Sequence, residues 1–457
     1  MRFFKSFTSS IRSMPLAIPF LVFIGVLWVA GGASRADVAG QVVSRAAAWV
    51  ALVTLIILGD RRSLIGDRQV LALLVATILL PLVQIIPIPP SWWSGLPGRG
   101  IFLEAATAAG MAQPWRPWAI VPSAAWNALF SLVVPLATYF LIAGFGRVGH
   151  LLMLRTLLIL IVVSTVVGLM QFSGVNVDNP FVNGSGEVNG MFANHNHFAL
   201  FIAMGCLLAP IWAFCESRKP GWQHPVALGL VSLFILTILS SGSRAGMIAG
   251  LIGVSGGFLV TQGGARKALR RYPRWVFPAL IAATLVSVTG LVLLSVMSDR
   301  AMSIHRAMTV DVSQDMRSRA LPVVLKMIRE YFPMGSGFGG FDPIFRLHEP
   351  FALLKPTYFN HAHNDFLEIV LDAGLPGLIL LMLAIGWWMW GSIDAWRSRG
   401  EDAGLRRTGS IMLLMVFAAS VFDYPARTPI IMAVIVIAAI WLSGYARQSA
   451  ASALRQP

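Results

Sequence analysis

The sequence predicts an all-α integral membrane protein with about twelve transmembrane helices. Hydrophobic residues make up 56% of the 457 residues, charged residues only 12%, and the mean hydropathy is +0.73. Apolar runs of roughly 17 to 25 residues recur along the chain, and each can cross about 30 Å of hydrocarbon as a helix. Stretches such as 151–167 and 433–442 lack the apolar/polar alternation of a membrane β-barrel. A helical bundle, in which each span forms its own backbone hydrogen bonds, is therefore predicted.

The apolar runs divide the chain into two helical blocks and one long loop. The first block holds nine spans within residues 1–297, the loop covers 298–363, and the second block holds three spans within 364–457. The predicted spans lie at 15–32, 44–59, 69–88, 122–145, 151–172, 197–215, 225–241, 245–262, 275–297, 364–393, 409–422 and 428–445. The basic, then apolar N-terminus predicts an uncleaved anchor, although the small residues at 30–36 also resemble a cleavage site.

The charge pattern gives these spans an orientation. An even number of spans puts both termini on one side, and the positive-inside rule tests which side this is. With cytoplasmic termini, 21 basic residues lie inside and six lie in short outer segments, while the other eight fall in the long loop, which crosses regardless of its charge. The net charge of +15 is therefore explained as cytoplasmic anchoring, and no nucleic-acid partner is expected.

The junction between the long loop and the tenth span carries the densest polar motif. Residues 360–368 read NHAHNDFLE, and six of the eight histidines lie in predicted outer segments. A helix puts Asp365 and Glu368 on one face, directly after His361 and His363. His363 is a candidate general base, because histidine titrates nearest neutral pH, and Asp365 is a second catalytic candidate. The alternative is a helix cap followed by acids that favour the positive helix end.

Other outer segments supply candidates for phosphate binding and for the lining of the same cavity. Arg244 lies in a short Ser/Gly turn, where it can bind two phosphate oxygens or extend to the lipid headgroups. Arg317 and Arg319 lie on a predicted amphipathic helix of the loop, whose alternative role is a solvated face. His195 and His197 point apart on a helix, so they predict polar lining, with His361 and Glu368, rather than a metal site.

Two absences narrow the function further. The sequence has no G-x-x-x-x-G-K-[ST] loop, so ATP-driven transport by this chain is not expected. The predicted cytoplasmic side also has no soluble nucleotide-binding segment. A group transferred at the outer face is therefore expected to arrive there on a lipid carrier.

Three short motifs, in this order and with a long outer loop before the last, resemble the O-antigen ligase and polymerase superfamily. They are GSRAG at 242–246, the segment with Arg317 and Arg319 that ends in FPMGSG at 332–337, and HAHNDFLE at 361–368 followed by GLPG at 374–377. NHNHF at 194–198 is similar to a further segment of that superfamily, and the resemblance covers about 190–390.

The resemblance implies a GT-C type inverting glycosyltransferase of the bacterial inner membrane. Such enzymes act at the periplasmic face on an undecaprenyl-diphosphate-linked glycan, without nucleotide-sugar, metal or other cofactor. The resemblance implies that Arg244 binds the donor pyrophosphate, that His363 is the essential histidine, and that the second arginine is Arg317 or Arg319. It does not cover Asp365, whose role depends on the residue argument alone.

The resemblance leaves the acceptor open. Ligases accept lipid A-core, whereas polymerases accept a second lipid-linked repeat, and some members glycosylate protein. We expect a ligase-type enzyme, with an O-antigen or exopolysaccharide polymerase as the alternative and a lipid-linked oligosaccharide flippase as the alternative of another class. A separate flippase and a chain-length regulator are implied partners, alongside the bilayer itself.

Overall fold

The computed structural model describes residues 16–58, 67–182, 188–216, 221–269, 316–354, 359–400 and 402–444, and within these ranges the chain is mostly helical. The helices in chain order are α1 (Ala17–Ala30), α2 (Ala39–Leu58), α3 (Arg68–Gln84), α4 (Pro90–Ser94), α5 (Gly100–Ala108), α6 (Pro122–Ser131), α7 (Val133–Ile142), α8 (Arg147–Phe172), α9 (His195–Glu216), α10 (Gln223–Ser240), α11 (Arg244–Leu269), α12 (Met316–Tyr331), α13 (Phe341–His348), α14 (Asp365–Arg397), α15 (Ala403–Ser420) and α16 (Pro429–Ser443). Short 3-10 helices cover Phe351–Leu353 and Pro425–Arg427, and Pro87–Ile88 pairs antiparallel with Arg116–Pro117.

Seven helical segments of the described chain are long and apolar enough to cross a membrane. They are α2, the pair α6 and α7, α8, α10, α14 and the apolar parts of α9 and α11. The helices α1, α3 and α16 are apolar but shorter, and α15 lies at the eleventh predicted span. The prediction of a mostly helical membrane protein is thus confirmed. The total of about twelve spans stays a prediction, because 275–297 and the loop residues 298–315 lie outside the described residues.

The helix α9 forms the centre of the bundle, with 89% of its apolar window buried. Gly253 and Gly257 lie one turn apart on α11, and a Cβ built on Gly253 would lie 2.6 Å from the carbonyl oxygen of Ala203 on α9. Small residues at this spacing allow two membrane helices to approach closely. At the N-terminal ends of the pair, the Ser243 hydroxyl donates to Asn196 Oδ1 over 2.7 Å, which fixes the two helix starts side by side.

The helix α14 is kinked where a loop packs against it. Gly374 adopts φ +55°, and a Cβ at this position would lie 2.0 Å from the carbonyl oxygen of Pro333. The Leu375 N–H donates to the same oxygen over 2.7 Å, and the Gly337 N–H donates to the Asp372 carbonyl over 2.9 Å. These bonds attach the loop that follows α12 to the first turns of α14, so the two helices hold a fixed relative position.

The kink gives a stability prediction. Gly374→Ala is expected to destabilise the protein by at least about 1–3 kcal/mol, because alanine is strained at positive φ and its Cβ meets a backbone carbonyl. Gly386→Ala is the matched control in the same helix, since nothing lies within 4 Å of its added Cβ. Thermal unfolding of the purified variants checks this. Equal midpoints for the two variants would show that the loop contact contributes nothing to stability.

Candidate active site

A cavity of about 820 Å³ opens where several helix ends meet. The N-terminal ends of α9, α11, α12 and α14 surround it, together with the segment that follows α15. We call it the first cavity. The side chains that line it are His195, Asn196, Gly242, Arg244, Ala245, Ile248, Met316, Arg317, Ser318, Leu321, Ala362, His363, Asn364, Leu367, Val421 and Phe422.

Four residues singled out from the sequence meet in the first cavity, although they are far apart in the chain. His195 comes from α9, Arg244 from α11, Arg317 from α12 and His363 from the residues before α14. Arg319 has a different environment, because its guanidinium donates to the carbonyl oxygen of Ala352 over 2.8 Å. Two residues apart on α12, the two arginines point to different sides, and Arg317 is the one that lines the cavity.

His363 is held in an unusual backbone conformation beside a buried carboxylate. Its φ is +50°, the one positive value among the non-glycine residues of the described chain. Its Nδ1 lies 3.2 Å from Oδ1 of Asp423, whose side chain is 1% exposed. Strained residues of this kind persist where the surrounding structure fixes them, and they are concentrated at functional sites.

Asp423 is the centre of the polar network behind the first cavity. Asn194 and Asn196 donate their side-chain amides to its Oδ2 over 3.0 and 2.6 Å, and Arg317 lies 3.6 Å from the same oxygen. Burial alone would raise the pKa of Asp423, but the hydrogen bond from His363 and the neighbouring positive charges hold it well below its usual range. The carboxylate is therefore ionised, and it can orient the His363 ring.

The sequence analysis did not single out Asp423. A signal was available, because Asp423 is the only acidic residue between positions 409 and 445, a region that is otherwise almost entirely apolar. Ionisable residues within or next to membrane spans usually belong to a functional site. The residue was passed over because it lies in the short connector between two predicted spans.

Tyr424 packs against three of the histidines that the sequence analysis placed on the outer side. Its ring centroid lies 4.1 Å from that of His361, 5.0 Å from His363 and 5.1 Å from His197. Among the side chains predicted to line one cavity, only His195 lines the first cavity, and His361 lines a neighbouring one. His197 is buried and does not line the first cavity, and its Nδ1 lies 2.9 Å from the Thr428 hydroxyl.

The acidic face of α14 binds one arginine that the sequence analysis also missed. Arg427 lies 3.3 Å from Asp365, 3.3 Å from Glu368 and 3.5 Å from Asp372. Burial alone would lower the pKa of Arg427, but these three carboxylates raise that pKa above its usual range. The acids share one helix face as expected, and Asp365, a predicted catalytic residue, has its carboxylate engaged by Arg427 and by the Ser420 hydroxyl at 3.0 Å.

His361 connects this acidic cluster to the irregular segment 360–364 before α14, which we call the histidine strand. Its Nδ1 lies 2.8 Å from Oε1 of Glu368, and the Ala362 N–H donates to Oε2 over 2.8 Å. Glu368 is fully buried, so it holds the strand in place from behind rather than lining the first cavity. The strand that presents His363 is thus fixed at both ends, by Glu368 and by Asp423.

A family model matches the part of the chain that contains most of the residues lining the first cavity. No curated protein matches the chain. Residues 229–382 match the O-antigen ligase family model, and this segment contains Arg244, Arg317 and His363. Asp423 and Arg427 lie beyond its C-terminal end. This segment of the chain is thus similar to the O-antigen ligase family, which supports the resemblance drawn from the sequence motifs.

Proposed function

We propose that the protein is a membrane glycosyltransferase that moves a glycan from undecaprenyl diphosphate to a sugar hydroxyl at the periplasmic face, as an O-antigen ligase. The observation that carries this proposal is the convergence of Arg244, Arg317 and His363 on one cavity. Two guanidinium groups suit a diphosphate, because each can bind two of its oxygens. The histidine supplies a base next to them.

The proposed reaction is a single displacement. The acceptor hydroxyl gives its proton to Nε2 of His363 while its oxygen bonds to the anomeric carbon of the donor sugar. The bond from that carbon to the diphosphate oxygen breaks, and undecaprenyl diphosphate leaves with the electron pair, so the anomeric configuration inverts. No metal or nucleotide takes part in this scheme.

The first-cavity residues Arg244, Arg317 and His363 and the acids behind them have separate roles in this scheme. Because ionised Asp423 accepts a hydrogen bond from Nδ1 of His363, that nitrogen carries the proton and Nε2 is the base. Arg244 and Arg317 stabilise the charge that develops on the leaving diphosphate. Asp365 is proposed to act through Arg427, by fixing the start of α14 rather than by touching the substrate.

The matched pair Arg317→Ala and Arg319→Ala tests the proposal, with Arg244→Ala as a third variant. Loss of one electrostatic donor typically costs about 10²–10³-fold in rate, so we expect Arg244→Ala and Arg317→Ala to lose transfer by about that factor. Arg319→Ala is expected to keep it, because its guanidinium binds the Ala352 carbonyl. A deletion strain complemented at matched expression provides the assay, read by electrophoresis of lipopolysaccharide, exopolysaccharide and undecaprenyl-linked glycan.

The pattern of accumulated glycan separates the candidate functions. Long lipid-linked chains without attachment to lipid A indicate a ligase, whereas single unpolymerised repeats indicate a polymerase. A flippase would instead leave its lipid-linked glycan on the cytoplasmic side. Normal glycans in both the Arg244 and Arg317 variants would contradict the proposed transferase site.

A further inference from the structure

A second cavity, of about 480 Å³, lies on the other side of the histidine strand. Ala362, His363 and Asn364 line the first cavity, whereas Asn360 and His361 line the second. The histidine strand therefore borders both cavities. The opposite wall of the second cavity comes from α2, α3 and α6.

The carboxylates that line the second cavity are each paired with an arginine. Asp37 pairs with Arg35, Asp342 with Arg346 over 2.8 Å, and Asp365 with Arg427 over 3.3 Å. Each of these acids therefore has a cation beside it, and Arg427 also neutralises part of the buried charge on α14. Of the arginines that line the second cavity, only the one on α2 lies in none of these pairs.

That arginine is Arg45, which is held by neutral groups only. One of its terminal nitrogens donates to Gln41 Oε1 over 3.1 Å and to Asn127 Oδ1 over 2.7 Å. Its Nε is buried and has no hydrogen-bond partner, and in the described part of the chain no carboxylate pairs with it. A cation without a carboxylate partner is costly on an apolar membrane helix, so an arginine at this position points to a ligand.

The orientation of Arg45 argues against the simplest alternative. An arginine near a helix end usually extends outward to reach the headgroups. Here Asn127 of α6 draws the guanidinium inward, towards the cavity that both residues line. The guanidinium is thus presented to the second cavity, while its buried Nε–H has no hydrogen-bond partner.

We propose that Arg45 binds an oxyanion, a phosphate or carboxylate group, carried by the acceptor glycan in the second cavity. The inference rests on the proposed function, because it assigns the second cavity to the second substrate. A sugar that bears one such group fits the mixed lining, since its hydroxyls can donate to Asn360 Oδ1. The oxyanion would then lie at Arg45, away from the acids of α14.

Binding of simple sugars to the reconstituted protein tests this without any transfer reaction. The full chain is placed in phosphatidylcholine nanodiscs, in an Arg244→Ala background that weakens anion binding in the first cavity. Saturation-transfer NMR then compares glucose 6-phosphate, glucuronate and glucose. We expect contact with the two anionic sugars and little with glucose, and we expect Arg45→Gln to reduce the anionic signals at least tenfold.

One further variant and two further measurements make the result decisive. Arg45→Lys keeps the charge and is expected to retain part of the signal, and thermal unfolding confirms that both variants fold. Equal contact for glucose, or anionic signals that are absent or unchanged in Arg45→Gln, would overturn the proposal. Phosphatidylglycerol that stays bound in native mass spectrometry only when Arg45 is present would also overturn it, by assigning the site to a lipid headgroup.

This test fails separately from the proposed function. Normal transfer in the Arg244 and Arg317 variants would reject the transferase site, whereas the NMR signal reports the Arg45 site alone. If transfer depends on Arg244 but no anionic sugar contacts Arg45, the reaction stands and the acceptor assignment falls.

Discussion

Asp423→Asn is expected to abolish nearly all glycan transfer while the protein still folds. The asparagine side chain has almost the same shape, so the contacts with the Asn194 and Asn196 side chains can rearrange around it. Asparagine cannot hold a negative charge, so the Nδ1 proton of His363 loses its acceptor and the ring loses its fixed tautomer. Positioned general bases contribute about 10²–10⁴-fold, and we expect a loss in that range.

A double-mutant cycle distinguishes this role from a structural one. His363→Ala alone should cost as much as Asp423→Asn, and the double variant should cost no more than either, because both act on the same proton transfer. Asp67→Asn is the control, since Asp67 lines neither cavity and asparagine can also cap the start of α3. Losses that add up in the double variant would mean that Asp423 acts independently of His363.

Arg427→Met is expected to cause the largest loss of stability in the chain. The substitution leaves the carboxylates of Asp365, Glu368 and Asp372 in a buried site without their shared cation. Removing one partner of a buried ion pair typically costs about 3–5 kcal/mol, and here three partners lose their counter-charge. We expect a strongly lowered thermal midpoint in detergent, or no accumulation of the protein in the membrane.

A control and a rescue make this prediction specific. Arg346→Met removes an exposed pair with Asp342 and should change stability by only about 0–1 kcal/mol. Adding Asp372→Asn and Asp365→Asn to Arg427→Met should recover part of the loss, because fewer uncompensated charges remain. If Arg427→Met melts with the same midpoint as Arg346→Met, the buried cluster does not stabilise the fold.

The sequence was sufficient to predict the helices and to single out several residues that line the first cavity. Apolar length fixes where a helix can cross a bilayer, so eleven predicted spans correspond to described helices. Arg244 and His363 were found because each lies in a compact motif of unusual composition. These signals are local, which is why they can be read without a structure.

The partners of those residues could not be predicted in the same way. Asp423 pairs with His363 across 60 positions, and Arg427 pairs with Asp365 across 62. Helix packing, not sequence spacing, sets such pairs. The sequence could not distinguish Arg317 from Arg319 for a related reason. Which of the two side chains faces the first cavity depends on how α12 is rotated about its own axis.

The short connector between the last two helices joins the two polar networks. Within five residues it supplies both Asp423, whose carboxylate lies 3.2 Å from the His363 ring, and Arg427, which pairs with the acids of α14. The segment that matches the O-antigen ligase family ends about forty residues before it. A fragment that ends at residue 382 would keep every motif found in the sequence but lack both of these residues, so on the proposed function we expect the smallest active unit to extend through the C-terminal helical hairpin.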